Sequence, residues 1–151
     1  MFHEICYGSD LSTIIGGYDN SVRYYSCNSS IISAKRSRIN ASCNSIILGG
    51  EFNTIRVNSF DSVIGGLENT ICGRVQSSAI FGQNNTIYCY VNNSFIAGYG
   101  NFTTYYTSGN FIAGACNGVR GGNYSSVLGS GNYIRYSTVS TIASGRQNCS
   151  V

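Results

Sequence analysis

Ser62–Ile71 reads S-V-I-G-G-L-E-N-T-I, and variants of this unit return along the whole chain. Anchored on the glycine three residues before the asparagine, the copies fall at Gly17, Ala34, Gly50, Gly66, Gly82, Gly98, Gly114, Gly129 and Gly145, with steps of 17, 16, 16, 16, 16, 16, 15 and 16. Three residues on stand Asn20, Ser37, Asn53, Asn69, Asn85, Asn101, Asn117, Asn132 and Asn148. A repeat this short cannot bury its apolar face alone and must stack on its neighbours, which makes the chain a solenoid. Residues 1–11 read as a partial first coil, in which Met1 takes the glycine place and Cys6 falls in an aliphatic column.

Composition selects strands for the coils. The 151 residues include 19 Gly, 12 Tyr, no Pro and no Trp, and only 10% are charged. β-Branched residues and Tyr suit strands, Gly and Asn suit turns, and no window is rich in helix formers. Evenly spaced Ile, Val, Phe and Tyr argue against disorder. The expected fold is therefore all-β: one parallel β-solenoid over residues 1–151, a narrow β-roll of about nine 16-residue coils. Stacked at roughly 4.8 Å, these give a rod about 40 Å long.

Two aliphatic columns flank the anchor. One lies two residues before it, from Ile15, Ile32 and Leu48 through Ile64, Ile80, Ile96, Ile112 and Val127 to Ala143. The other lies five residues after it, from Val22, Ile39, Ile55, Ile71 and Ile87 through Thr103, Val119 and Ile134 to Ser150. Side chains alternate faces along a strand, so the first column and its flanking Ser or Thr should point inward. Each coil then supplies two short strands, and a two-sided roll fits the chain available. The Asn column should form an internal ladder, amide to amide and amide to turn backbone. By the same alternation Ile14, Ile31, Ile47, Val63, Phe95, Phe111 and Ile142 should point outward as an apolar stripe, which fits a subunit interface.

The S-x-I-x-G-G-x-x-N-x-I units, clearest at 13–22, 46–55, 62–71 and 78–87, resemble the YadA-like head repeats of trimeric autotransporter adhesins and the related repeats of phage and giant-virus tail or fibre proteins. The resemblance implies a left-handed parallel β-roll, a trimer, and a rigid fibre or adhesive head on a cell or virion surface. The coils here are longer than the usual adhesin repeat and richer in cysteine, and a viral or self-assembling fibre stays open.

The remaining motifs carry little chemistry. Seven cysteines lack a C-x-x-C, but Cys27 with Cys43 and Cys72 with Cys89 lie about one coil apart, a spacing compatible with disulfides. One histidine, His3, and six acids confined to the first half supply no catalytic constellation, so no enzyme, metal or cofactor is expected. A net charge of +3 is too mild to imply nucleic acid. No apolar run could insert in a membrane and no signal peptide is visible. Arg23, Arg56, Arg120 and Arg135 share an outward position, and Tyr24, Tyr25, Tyr88, Tyr90, Tyr105 and Tyr106 are placed to stack on sugars. Sequons at Asn28, Asn40, Asn84, Asn92 and Asn123 lie off the ladder.

These readings converge on a structural fibre, filament or adhesive-head protein that self-associates side by side as a homo-oligomer, a trimer above all. Both ends stop within a coil, as in a piece of a longer array or in rods that also polymerise end to end. The competing reading is a module that binds a glycan or cell-surface receptor. An ice-binding solenoid is weaker, because its Thr column is short: Thr54, Thr70 and Thr86.

Overall fold

A computed structural model describes residues 2–143 and 145–150. Among the described residues every regular element is a strand. Ten strands form one sheet, nine a second, and Val91–Asn92 with Thr107–Ser108 a short third. All the pairings are parallel and join successive coils: Ile80 pairs with Ile64 on one side and Ile96 on the other, and Ile87 lies between Ile71 and Thr103. The chain is a parallel β-solenoid of coils about 16 residues apart.

Apolar side chains from both long sheets meet along the axis. Ile64, Ile80, Ile96 and Ile112 face Ile55, Ile71, Ile87 and Val119, all wholly buried. The core also takes Val75 and Val91 from a third direction, where bridges between Phe60, Gln76 and Asn92 continue the short sheet. A two-sided roll with two short strands per coil was expected; the structure adds this brief third side. Where the second column holds Thr103, its hydroxyl lies 2.9 Å from that of Thr107 and accepts from Asn110 Nδ2 at 3.3 Å. That buried polar group is therefore satisfied locally.

The asparagine corner ties the coils together. Asn69 Oδ1 accepts the Asn85 backbone N–H at 2.9 Å and its Nδ2 at 3.2 Å, while Asn69 Nδ2 donates to the Gly82 carbonyl at 2.8 Å. The main-chain bond and the bond to the glycine carbonyl recur at Asn53, Asn85, Asn101 and Asn117, and the amide-to-amide bond at Asn53 and Asn85. Asn148, on the terminal coil, is exposed and donates to Asn132 Oδ1 at 3.0 and 3.1 Å. Serines play the same part at the other corners: Ser26 Oγ accepts from Ser42 N–H, Ser42 Oγ from Ser59, and Ser29 Oγ from Ser45, each at 3.2 Å.

The second aliphatic column pairs in register from Val22 to Ser150, as read from the sequence. The first does not. Ile14, Ile31 and Ile47 pair in line with Ile64, and Ile142 with Val127. Ile31 and Ile47 are wholly buried, Ile14 and Ile142 pack against the core, and Ile15 and Leu48 are exposed instead. The cause is one extra residue between strand and corner in these coils, absorbed as a bulge between Leu48 and Glu51 in the third. A one-residue offset reverses which face every side chain takes. At the N-terminus Ile5, not Cys6, pairs with Val22; the Met1 anchor lies outside the described residues.

Glycine is required where coils touch. A Cβ on Gly82, at φ 125°, would stand 2.0 Å from the Gly98 carbonyl oxygen. Gly100, at φ 64°, is different: a Cβ there meets nothing closer than 3.5 Å, and Asn84 holds the equivalent place one coil earlier at φ 55°. Gly82→Ala should lower stability by more than about 3 kcal/mol, and Gly100→Asn by less than about 1 kcal/mol. Asn69→Ala, which strands a buried N–H and a carbonyl, should cost about 2–4 kcal/mol. Chemical denaturation of the three variants checks all three values.

Candidate interaction surfaces

Alternation along the nine-stranded sheet leaves two rows facing out. One runs through Ile46, Val63, Ala79, Phe95 and Phe111; the other through Leu48, Gly65, Phe81, Ala97 and Ala113. Of the stripe read from the sequence, Val63, Phe95 and Phe111 lie on this face, whereas Ile14, Ile31, Ile47 and Ile142 belong to the core side. Sequence reasoning missed Ile15, Leu48, Phe81 and Leu128, exposed by 55, 46, 39 and 37%. Following the isoleucines rather than the glycines would have found Ile15 and Leu48, and Phe81 and Leu128 stand directly before the anchor glycine, a position that alternation already turns outward. Phe95 and Phe111 stack at 5.5 Å, and Phe81 lies 6.0 Å from Phe95.

The two rows are complementary in size. Coil by coil the outward pairs are Thr13 and Ile15, Ser30 and Ile32, Val63 and Gly65, Ala79 and Phe81, Phe95 and Ala97, Phe111 and Ala113, and Ser126 and Leu128. Each holds one bulky and one small side chain. Ile46 with Leu48, at the bulge, is the pair with two bulky members, and Thr141 with Ala143, in the last coil, the pair with two small ones.

A different surface lies beyond the ten-stranded sheet. Arg23, Arg56, Arg120 and Arg135 occupy one outward row, with Asn40, Cys72, Tyr88 and Thr104 at the intervening levels. The turn that follows holds Tyr24, Tyr25, Tyr90, Tyr105 and Tyr106, each at positive φ. Tyr90 stacks on Tyr106 at 4.7 Å with Arg74 on Tyr90 at 5.3 Å. Arg120 covers Tyr105 at 4.6 Å, and Arg135 covers Tyr136 at 5.2 Å. Other aromatic rings fill space left by glycine: Tyr25 lies on Gly8, Tyr124 on Gly109 and Tyr136 on Gly121. The Thr54, Thr70 and Thr86 column is in register and is flanked by Arg38 and Phe102.

The titratable groups are dispersed. Among the described residues no three His, Cys, Asp or Glu side chains converge as metal ligands. Glu4 is held below the usual carboxylate range by hydrogen bonds from the Cys6 thiol and Arg23, and it forms an ion pair with Arg23. These border a shallow cavity of about 180 Å³ that includes His3, Asp19 and Arg38. Lys35 pairs with Glu51 at 3.0 Å across adjacent coils. The sequon residue Asn84 is exposed, and Asn28 donates to Asn44 Oδ1 at 3.4 Å.

All seven cysteines are free thiols. Cys27 and Cys43 do meet across coils, with the Cys27 N–H donating to Cys43 Sγ at 3.2 Å. Burial, first of all, pushes the Cys43 thiol up. Cys72 is buried beside Cys89, whose N–H donates to the Cys72 carbonyl at 3.1 Å.

The chain matches no protein-family model, and no curated protein is significantly similar to it.

Thiol exposure gives a direct check on coil packing. Brief alkylation of the native protein should label Cys116 and Cys149 first, with Cys72 protected until denaturant is added. Peptide mass mapping reads the order, and early labelling of Cys72 would contradict the packing described.

Proposed function

We propose that this chain is a structural fibre or adhesive-head element that associates side by side with copies of itself through the apolar face of its nine-stranded sheet. The size match between the two outward rows carries this reading. About an axis parallel to the rod, each row meets the other row of a neighbour at the same level, Phe95 against Ala97 and Ala79 against Phe81. An antiparallel arrangement brings different levels together and loses the match. A face about 40 Å long and about 10 Å wide offers some 400 Å² per copy, the size of the largest and often functional patch on a soluble monomer. The resemblance of the repeat to YadA-like head units favours three copies and a place on a cell or virion surface. In that trimer each copy turns one row to either neighbour.

Light scattering on the purified chain tests the reading. The expected mass is three times that of the 16.2 kDa chain. Phe95→Ser with Phe111→Ser should return the single-chain mass with an unchanged β-sheet circular dichroism spectrum. A wild-type chain that stays monomeric when concentrated would overturn the reading.

A further inference from the structure

The arginines and tyrosines beyond the ten-stranded sheet lie on a chain whose charge is unevenly divided. Up to Cys72 there are five cations and six acids; beyond it there are Arg74, Arg120, Arg135 and Arg146 and no acid at all. Arg120 and Arg135 pair in register on adjacent strands, so their Cα atoms stand about 5 Å apart. Neither forms an ion pair among the described residues, and Arg120 Nε is shielded from solvent with no acceptor. Like charges on directly paired residues repel, and a stretch that keeps them without any acidic side chain is suited to an anion from outside.

The aromatic rings narrow the chemistry. A surface for single-stranded nucleic acid offers open ring faces on which bases stack. Here Tyr90 has Arg74 over one face and Tyr106 over the other, Tyr105 lies beneath Arg120, and Tyr136 is held between Gly121 and Arg135. What remains outward is donors: guanidinium N–H groups and phenol hydroxyls. Beside Arg74 an open groove of about 270 Å³ is lined by Asn58, Phe60 and Gln76, two carboxamides around an apolar floor. Amides and cations that converge beside one ring suit a polyhydroxylated anion.

We infer that this corner, from Arg74 to Arg135, binds an acidic polysaccharide laid along the rod, its carboxylate or sulfate groups received by Arg74, Arg120 and Arg135. The surface is separate from the apolar face used for self-association, so either reading survives the loss of the other.

Biolayer interferometry at low salt tests it on the whole chain with four immobilised probes: alginate for carboxylates, dextran sulfate for sulfates, neutral dextran, and a thymidine oligonucleotide. Binding to alginate or dextran sulfate is expected, weakening as salt rises, and the better of the two identifies the group received. Neutral dextran should not bind. The double substitution Arg120→Gln with Arg135→Gln should reduce binding by about tenfold or more, and Arg56→Gln, in the acidic half, by much less. Circular dichroism confirms that the variants fold. No binding to either acidic polymer, tighter binding of the oligonucleotide, or equal loss in Arg56→Gln would overturn the assignment.

Discussion

Each coil of this protein completes the hydrogen bonding of the one before it. A buried carboxamide or main-chain N–H without a partner costs several times what a satisfied one contributes. Asn85 can be buried only because Asn69 Oδ1 receives its backbone N–H and the Gly98 carbonyl receives its Nδ2. The same geometry fixes the glycines, since the Gly98 oxygen occupies the space that a Cβ on Gly82 would need. Asparagine and glycine are therefore one constraint expressed at two positions three residues apart.

That constraint leaves other positions free. The residue just before each corner asparagine, or before Ser37 in its place, is left-handed in coil after coil, yet it is Asp19, Arg36, Phe52, Glu68, Asn84, Gly100 or Cys116. A non-glycine residue there costs on the order of 1 kcal/mol. Its own backbone N–H holds it there by donating to the coil before it, as Phe52 does to the Lys35 carbonyl at 2.9 Å and Glu68 to the Glu51 carbonyl at 2.8 Å. Its side chain points away from the core and meets at most its neighbours in the same column, as Arg36 does over Phe52 at 5.5 Å, so these places can change with the surroundings the rod meets. The same is true of the turn that bears Tyr90 and Tyr106. Backbone order and surface chemistry are uncoupled, which is what a scaffold for recognition needs.

How far the sequence could be read follows from the same separation. The Asn column and the column from Val22 to Ile134 sit on the constrained side of the corner with fixed spacing, and both were legible directly. The strand before the corner is reached through a bend that holds an extra residue in the first three coils and the last, and counting back from the glycine put Ile31 and Ile47 on the wrong face. Period-two structure turns a single uncounted residue into a complete reversal, whereas an isoleucine-to-isoleucine count passes over the bend. The tyrosines were legible as an exposed group. That their faces are taken by Arg74, Arg120 and Arg135 was not, because the partners come from other coils or from a bend in the turn.

The two proposed surfaces interact through charge. Parallel, in-register association sets the basic halves of the copies side by side, four arginines without an acid in each. Self-repulsion of that kind opposes assembly, and it is concentrated at the end that holds the stacked Phe95 and Phe111 of the proposed interface. A polyanion along the Arg74–Arg135 corner removes the repulsion while leaving the phenylalanines untouched. By linkage, any ligand that binds the assembled form more tightly than the single rod also favours assembly by the same factor. In the proposed assembly an acid-free half is thus a cost to bare rods and an advantage to rods that lie on an anionic surface.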